Sequence, residues 1–235
     1  MKLQLIGGQT RFVVLAVLAV SACSSGEPET AFARSSTTRT ATNLPNLSTV
    51  RSDQSAGLRL VLASTGNAAR YRVREQLVGH DLPNDAIGET KNLIGAISFD
   101  SKGKVVRDES KFTVDAASFV SDQKRRDGYV RGRLLEADEY PTVLLVPTEV
   151  RGVNLPLPKS GTAPIEMAAN LTVRGVTRPT LWKGTAEFKD GAVTGSVATA
   201  FTFDNIQMEQ PRVPVLLSVA DTIRLEIDFN LVQQR

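Results

Sequence analysis

The sequence predicts an all-β chain of about eight antiparallel strands, closed as an up-and-down barrel or packed as a sandwich, with one short helical insertion near 115–140. Three observations carry this expectation. From residue 58 onward, apolar and polar residues alternate with a period of two, the mark of strands with one buried and one wet face. Turn signals rich in Gly, Asp and Pro separate the alternating runs. The chain has a single cysteine, so no intramolecular disulfide is available and the fold must rest on its core.

In chain order, the first element reads as an address. Lys2 and Arg11 are the only charges ahead of the apolar run from Phe12 to Val20, which is too short to span a bilayer. A basic start, a short apolar stretch and small residues at its end make residues 1–22 a secretory signal peptide. The segment Val20-Ser21-Ala22-Cys23 resembles a bacterial lipobox, in which the cysteine is acylated and becomes the new N-terminus. Cys23 is therefore the expected lipidation site, and the expected localisation is a membrane-anchored lipoprotein of the cell envelope. Residues 23–57 follow as a Ser/Thr-rich tether with few large apolar residues. Some thirty flexible residues give a reach of about 30 Å.

Strands are expected at Leu58–Ala63, Arg70–Val78, Asn92–Phe99, Val105–Val114, Thr142–Val150 and Ile165–Val173. A later strand sets Trp182, Gly184, Ala186 and Phe188 against Lys183, Thr185 and Glu187. Another sets Val193, Gly195, Val197, Thr199, Phe201 and Phe203 against Thr194, Ser196, Ala198, Ala200 and Thr202. The last places Ile223, Leu225, Ile227, Phe229 and Leu231 on one face and Thr222, Arg224, Glu226, Asp228 and Asn230 on the other. Turns are read at Asp100–Gly103, Leu155–Gly161 and Lys189–Gly191. Between Asp115 and Tyr140 the alternation stops. Asp115 suits a helix N-cap, Gly128 and Gly132 argue for short helical pieces, and Pro141 closes the segment.

Charge and motif content exclude several classes. Lys2 and Arg11 account for two of the net +3, so the chain without its signal is nearly balanced and has no field for bulk nucleic acid. The run Lys124-Arg125-Arg126 is short and flanked by Asp122 and Asp127, which reads as a solvated face. His80 is the only histidine, so a histidine-rich zinc site within one chain is ruled out. No nucleophile elbow and no phosphate-cradling glycine loop is present. A hydrolase built on His80 and a neighbouring carboxylate such as Asp81 stays open only as a minor reading. The Arg126-Asp127 pair is read either as a ligand contact at a barrel mouth or as a locally paired arginine beside a carboxylate that orients the turn. The inward aromatic and aliphatic faces can line a cavity or fill a solid core; alternation does not distinguish these.

Leu171-Thr172-Val173-Arg174-Gly175-Val176-Thr177-Arg178-Pro179, leading to the chain's only tryptophan, Trp182, resembles the hairpin of the YceI-like family. Val114-Asp115, Ser118, Arg126-Asp127, Leu135 and Tyr140-Pro141 follow its insertion, and Val219-Ala220-Asp221-Thr222-Ile223-Arg224-Leu225 its closing strand. The family's early histidine and Gly-x-Phe turn are poorly reproduced around Tyr71–Pro83 and Gly88-Glu89-Thr90, and the late arginine is missing from Phe201–Ile206. The resemblance implies an exported, lipocalin-like barrel over residues 58–235 that sequesters or carries an isoprenoid or other long apolar molecule, without catalysis. It implies a cavity lined by Phe99, Phe112, Trp182, Phe188, Phe201, Phe203, Ile223, Leu225, Ile227 and Phe229. Phe119, Arg126, Asp127 and Tyr129 would stand at its mouth. No cofactor beyond the bound lipid and no metal is expected. The expected partners are the apolar molecule, the membrane through the N-terminal lipid and, in a homodimer, a second copy of the chain. The competing reading is a non-enzymatic surface module with a solid barrel core.

Overall fold

The computed structural model describes residues 57–234; the signal segment, Cys23 and the tether as far as residue 56 lie outside the described residues. Ten strands form: β1 Leu58–Leu62, β2 Ala68–Leu77, β3 Asn84–Thr90, β4 Leu93–Phe99, β5 Lys111–Asp115, β6 Thr142–Arg151, β7 Ser160–Val173, β8 Val176–Lys189, β9 Ala192–Thr202 and β10 Leu216–Gln233. All pairings are antiparallel. β1 pairs β4, the ladder runs on through β5, β6, β7, β8 and β9 to β10, and β10 returns to β1. Eight strands therefore close a barrel, which removes the exposed edges an open sheet would carry.

β2 and β3 lengthen this wall. β2 pairs β10 along the same side as β1, and β3 pairs β2. β1 and β2 thus act as one long strand, broken at residues 63–67. The break is held by Asn67, which donates to the Ala63 carbonyl (2.6 Å) and accepts from the Asn230 amide (2.7 Å), so the interrupted ladder leaves these groups paired. β3 and β4 are likewise one strand broken at Lys91-Asn92, where the Thr90 hydroxyl accepts from the Asn92 amide (3.0 Å).

Two hairpins are set by two-residue turns with both residues at positive φ: Arg174-Gly175 (48° and 71°) joins β7 to β8, and Asp190-Gly191 (49° and 85°) joins β8 to β9. Such turns match the right-handed twist of the flanking strands. The family-like hairpin is therefore a register-fixing device. Its turn also ties to the insertion, since Arg174 pairs with Glu136 at 2.9 Å.

The 115–140 insertion is made of short pieces. The Asp115 carboxylate accepts from the Ala117 amide (2.9 Å) and starts a 3-10 turn over Ala116–Ser118. Helix α1 covers Lys124–Tyr129. A wider helical turn continues it over Val130–Leu134, where the Leu135 amide donates five residues back to Val130 (2.8 Å). Val120 and Glu89 exchange backbone hydrogen bonds (2.8 and 3.0 Å), which joins the insertion to β3.

Two expectations from sequence are corrected. The strand expected over Val105–Val114 is a strand only from Lys111; Val105 forms a single bridge to Phe99 and a 3-10 turn occupies Arg107–Glu109. The cause is Ser110, fully buried, whose hydroxyl donates to the Val106 carbonyl (2.7 Å) and accepts from the Ser98 amide (3.0 Å), folding the chain back on itself. Conversely, Asn84–Thr90, which is not among the strands expected from sequence, is strand β3.

The core cluster runs through the barrel and shares Trp182, Leu145 and Leu171 with the cavity, while one end of it lies apart from the cavity. Leu60, Ile97, Phe99, Phe188, Val193 and Leu231 are buried there, and Phe112 and Phe229 pack half-buried against them. Each such side chain contributes about 1.5–3 kcal/mol when removed from water. That end is solid.

Candidate functional site

The other end of the barrel is hollow. A cavity of about 710 Å³ lies between β2, β10, β7, β8 and the insertion. This is within the span of small-molecule pockets, roughly 300–1,000 Å³. Its inner part is bounded by Trp182, Leu145, Leu171 and Ile227, and its lining runs out to the exposed residues Val78, Arg125 and Val215, where it opens. Strand β2 lines it from Ala69 to Leu77, about 26 Å of backbone at roughly 3.3 Å per residue.

Period-two alternation places the lining side chains. On β2, Ala69, Tyr71, Val73, Glu75 and Leu77 face inward and Arg70, Arg72 and Arg74 alternate with them. On β10 the inward row is Ile223, Leu225 and Ile227. Trp182 is 1% exposed, and its indole N–H donates to the Thr180 hydroxyl (2.9 Å), so the ring presents an apolar body with its polar atom already satisfied.

Of the residues singled out from sequence, Trp182, Phe201, Phe203, Ile223, Leu225 and Ile227 line the cavity. Phe99, Phe112, Phe188 and Phe229 do not; they belong to the solid end. The reason is their level along the strands. Phe188 pairs with Val193 beside the β8–β9 turn, and Phe99 pairs with Leu58 at the far end of β1, whereas Trp182 sits six residues back along the same face of β8. At the mouth, Phe119, Arg126 and Tyr129 line the cavity, and Asp127 stands just behind them.

The polar groups of the mouth form one network. Arg126 reaches Glu75 on β2 at 2.6 Å, and also pairs with Asp122 one helical turn away. Asp127 is buried and accepts from both the amide (2.8 Å) and the hydroxyl (2.7 Å) of Ser121, which orients the turn ahead of α1. Burial works against the Arg126 charge, but the hydrogen bond to Asp122 and the Glu75 charge more than restore it, and its pKa is raised. The Arg126 hydrogen bond holds Asp122 below the usual carboxylate range.

Sequence reading missed Glu75 and Tyr71. The signal was present: both lie in the inward row of β2, where a carboxylate among apolar residues is costly unless it is paired. Tyr71 packs its ring against Phe119, with centroids 5.7 Å apart, and lies across Gly88 on β3. Burial, with a smaller opposing effect from the Arg126 charge, pushes its hydroxyl up to about 12. It therefore stays a hydrogen-bond donor at all ordinary pH. His80 sits at the rim, exposed, on the turn after β2. Among the described residues, no group of three or more His, Cys, Asp or Glu side chains is placed to hold a metal ion.

Fold and site together define a class: a closed antiparallel barrel, packed solid at one end and hollow and apolar at the other. The chain belongs to the YceI-like domain family, whose model matches residues 65–231. Among solved structures, a polyisoprenoid binding domain from Saccharophagus degradans is similar at a TM-score of 0.60 and 13% identity, covering 75% of this chain and 99% of that one. BcnA from Burkholderia cenocepacia is similar at a TM-score of 0.53 and 15% identity, covering 72% of this chain and 98% of that one. At such identities the likeness is one of fold. A search of the curated proteins finds no match to this chain.

Proposed function

We propose that this protein binds a long apolar molecule, an isoprenoid or another lipid, non-covalently in the hollow half of its barrel. It carries or sequesters that molecule in the cell envelope after export, held to a membrane through a lipidated Cys23. The observation that carries the binding reading is the cavity running from Trp182 to the rim, lined for the most part by apolar side chains. Transfer of an apolar chain from water into it gains about 25 cal/mol per Å² of buried surface, so affinity needs few polar contacts. The similarity in fold to a protein described as a polyisoprenoid binding domain supports the same reading.

Binding rather than turnover fits the polar groups at hand. The carboxylates that line the cavity are committed, Glu75 to Arg126 and Glu226 to Arg224 and Arg72; Asp127 behind the mouth is held by Ser121, and His80 stands in solvent at the rim. The export and anchoring half of the proposal rests on residues 1–23 of the sequence.

One experiment tests both halves. Full-length wild type and Cys23→Ala are expressed in a bacterial host and fractionated, then stripped of lipid and titrated with a fluorescent polyprenyl or alkyl probe. Wild type is expected in the membrane fraction and Cys23→Ala in the soluble envelope fraction, with both binding one probe per chain. Membrane association of Cys23→Ala contradicts the anchor, and uptake that never saturates contradicts the cavity.

A further inference from the structure

Resting on that reading, we infer that the molecule held here ends in an uncharged polar group that accepts a hydrogen bond, and that Glu75 excludes ligands with a phosphate or diphosphate end. The inference comes from the balance of charge at the mouth. Arg126 is the least exposed arginine among the lining residues, and an anionic head held inside would need its guanidinium. That guanidinium is already taken: Glu75 holds one end at 2.6 Å, Asp122 holds the other, and the Ser121 hydroxyl lies at 3.3 Å. Asp127 adds a third carboxylate behind it, buried and neutralised by no cation in contact. Three carboxylates surround this one guanidinium, so Arg126 has no unmatched charge to offer a ligand.

The side chains of Glu75 and Arg126 are only 8% and 13% exposed, so water screens them poorly. An incoming phosphate would face the Glu75 carboxylate at close range, or would have to break a buried pair and leave that carboxylate uncompensated, which is the costlier outcome. The other lining cations do not change this. Arg70 is bound to Glu89 and Asp228, both at 2.6 Å. Arg125 is exposed at the rim, where pairing to an anion is screened by solvent and salt.

A neutral acceptor meets the opposite situation. The Tyr71 side chain lines the cavity deeper in, level with Leu225 across the β2–β10 ladder, and its hydroxyl bonds to no other side chain among the described residues. It is a donor left without a protein partner on a side chain of the cavity wall. A ketone, ester or ether oxygen at the end of an apolar chain could accept from it at no charge penalty.

The test is a competition on lipid-stripped full-length protein among three probes of one chain length: a polyprenyl diphosphate, the corresponding methyl ketone and the parent hydrocarbon. The ketone is expected to bind at least about tenfold more tightly than the diphosphate, a difference of one close like-charge contact. Glu75→Gln keeps the side chain's shape and removes its charge, and should shrink that ratio about tenfold by improving diphosphate binding. Tyr71→Phe should weaken the ketone alone and leave the hydrocarbon unchanged. A diphosphate that binds wild type as well as the ketone, or a ratio that Glu75→Gln does not move, overturns the inference while the hydrocarbon still binds. If the hydrocarbon fails as well, the cavity reading itself falls.

Discussion

At the scale of single residues, the site depends on exchanges between neighbours on adjacent strands. Gly88 is buried on β3 opposite Tyr71, and a Cβ built there would stand 2.1 Å from the tyrosine ring. The glycine is what allows the ring and its hydroxyl to lie across β3. Gly88→Val should force the ring aside at a cost of about 1–3 kcal/mol, the usual penalty of overpacking. A denaturant midpoint equal to wild type would contradict this account of Gly88. Here the sequence was hard to read for a physical reason. The inward positions of β3 are Ala86, Gly88 and Thr90, small because Tyr71 and Ser118 occupy the space above them, so the run lacks the apolar alternation that marks a strand. Glu75 was equally hidden, because a carboxylate in an inward row reads as an irregularity until its partner 51 residues later is known.

At the scale of elements, β2 is fastened by charge on its outer face as well as by burial on its inner one. Arg70 bridges Glu89 on β3 and Asp228 on β10; Arg72 lies between Asp85 and Glu226; Arg74 joins Asp85. Hydrogen bonds from Arg74 and Arg72 hold Asp85 below the ordinary carboxylate range, and Arg224, followed by Arg72, does the same for Glu226. A carboxylate whose pKa is depressed by folding stabilises the fold above its unfolded pKa and loses that contribution as pH falls through its folded value. The thermal midpoint should therefore drop on acidification below pH of about 4, and drop less in Asp85→Asn, whose lost pairs no longer titrate. The effect is small, since exposed pairs contribute weakly. A midpoint that rises on acidification would contradict it. Most elements were legible beforehand. β8, β9 and β10 alternate cleanly, and the insertion announces itself through Asp115, Gly128, Gly132 and Pro141. The broken strands were not, because Asn67 and Ser110 bend the backbone through side-chain hydrogen bonds that no periodicity records.

At the scale of the whole molecule, the barrel divides into a plug and a pocket. Trp182 and Phe188 share one face of β8 and are both nearly inaccessible, yet one lines the cavity and the other fills the core. Alternation identifies the inward face and says nothing about what crosses the interior to meet it. The difference arises from the rest of the wall. At the solid end Leu60, Ile97, Leu231 and Phe188 are buried in one cluster and none of them lines the cavity, while at the open end residues of the insertion line the space without filling it. Division of this kind lets the plug supply stability while the pocket stays free for a ligand, and the central claim is that the pocket holds one long apolar molecule. Native mass spectrometry of the protein purified without detergent measures this directly. One apolar molecule of discrete mass per chain is expected, released by organic solvent and restored by adding it back; a chain that carries none and accepts none, while still folded, would contradict a lipid-filled pocket.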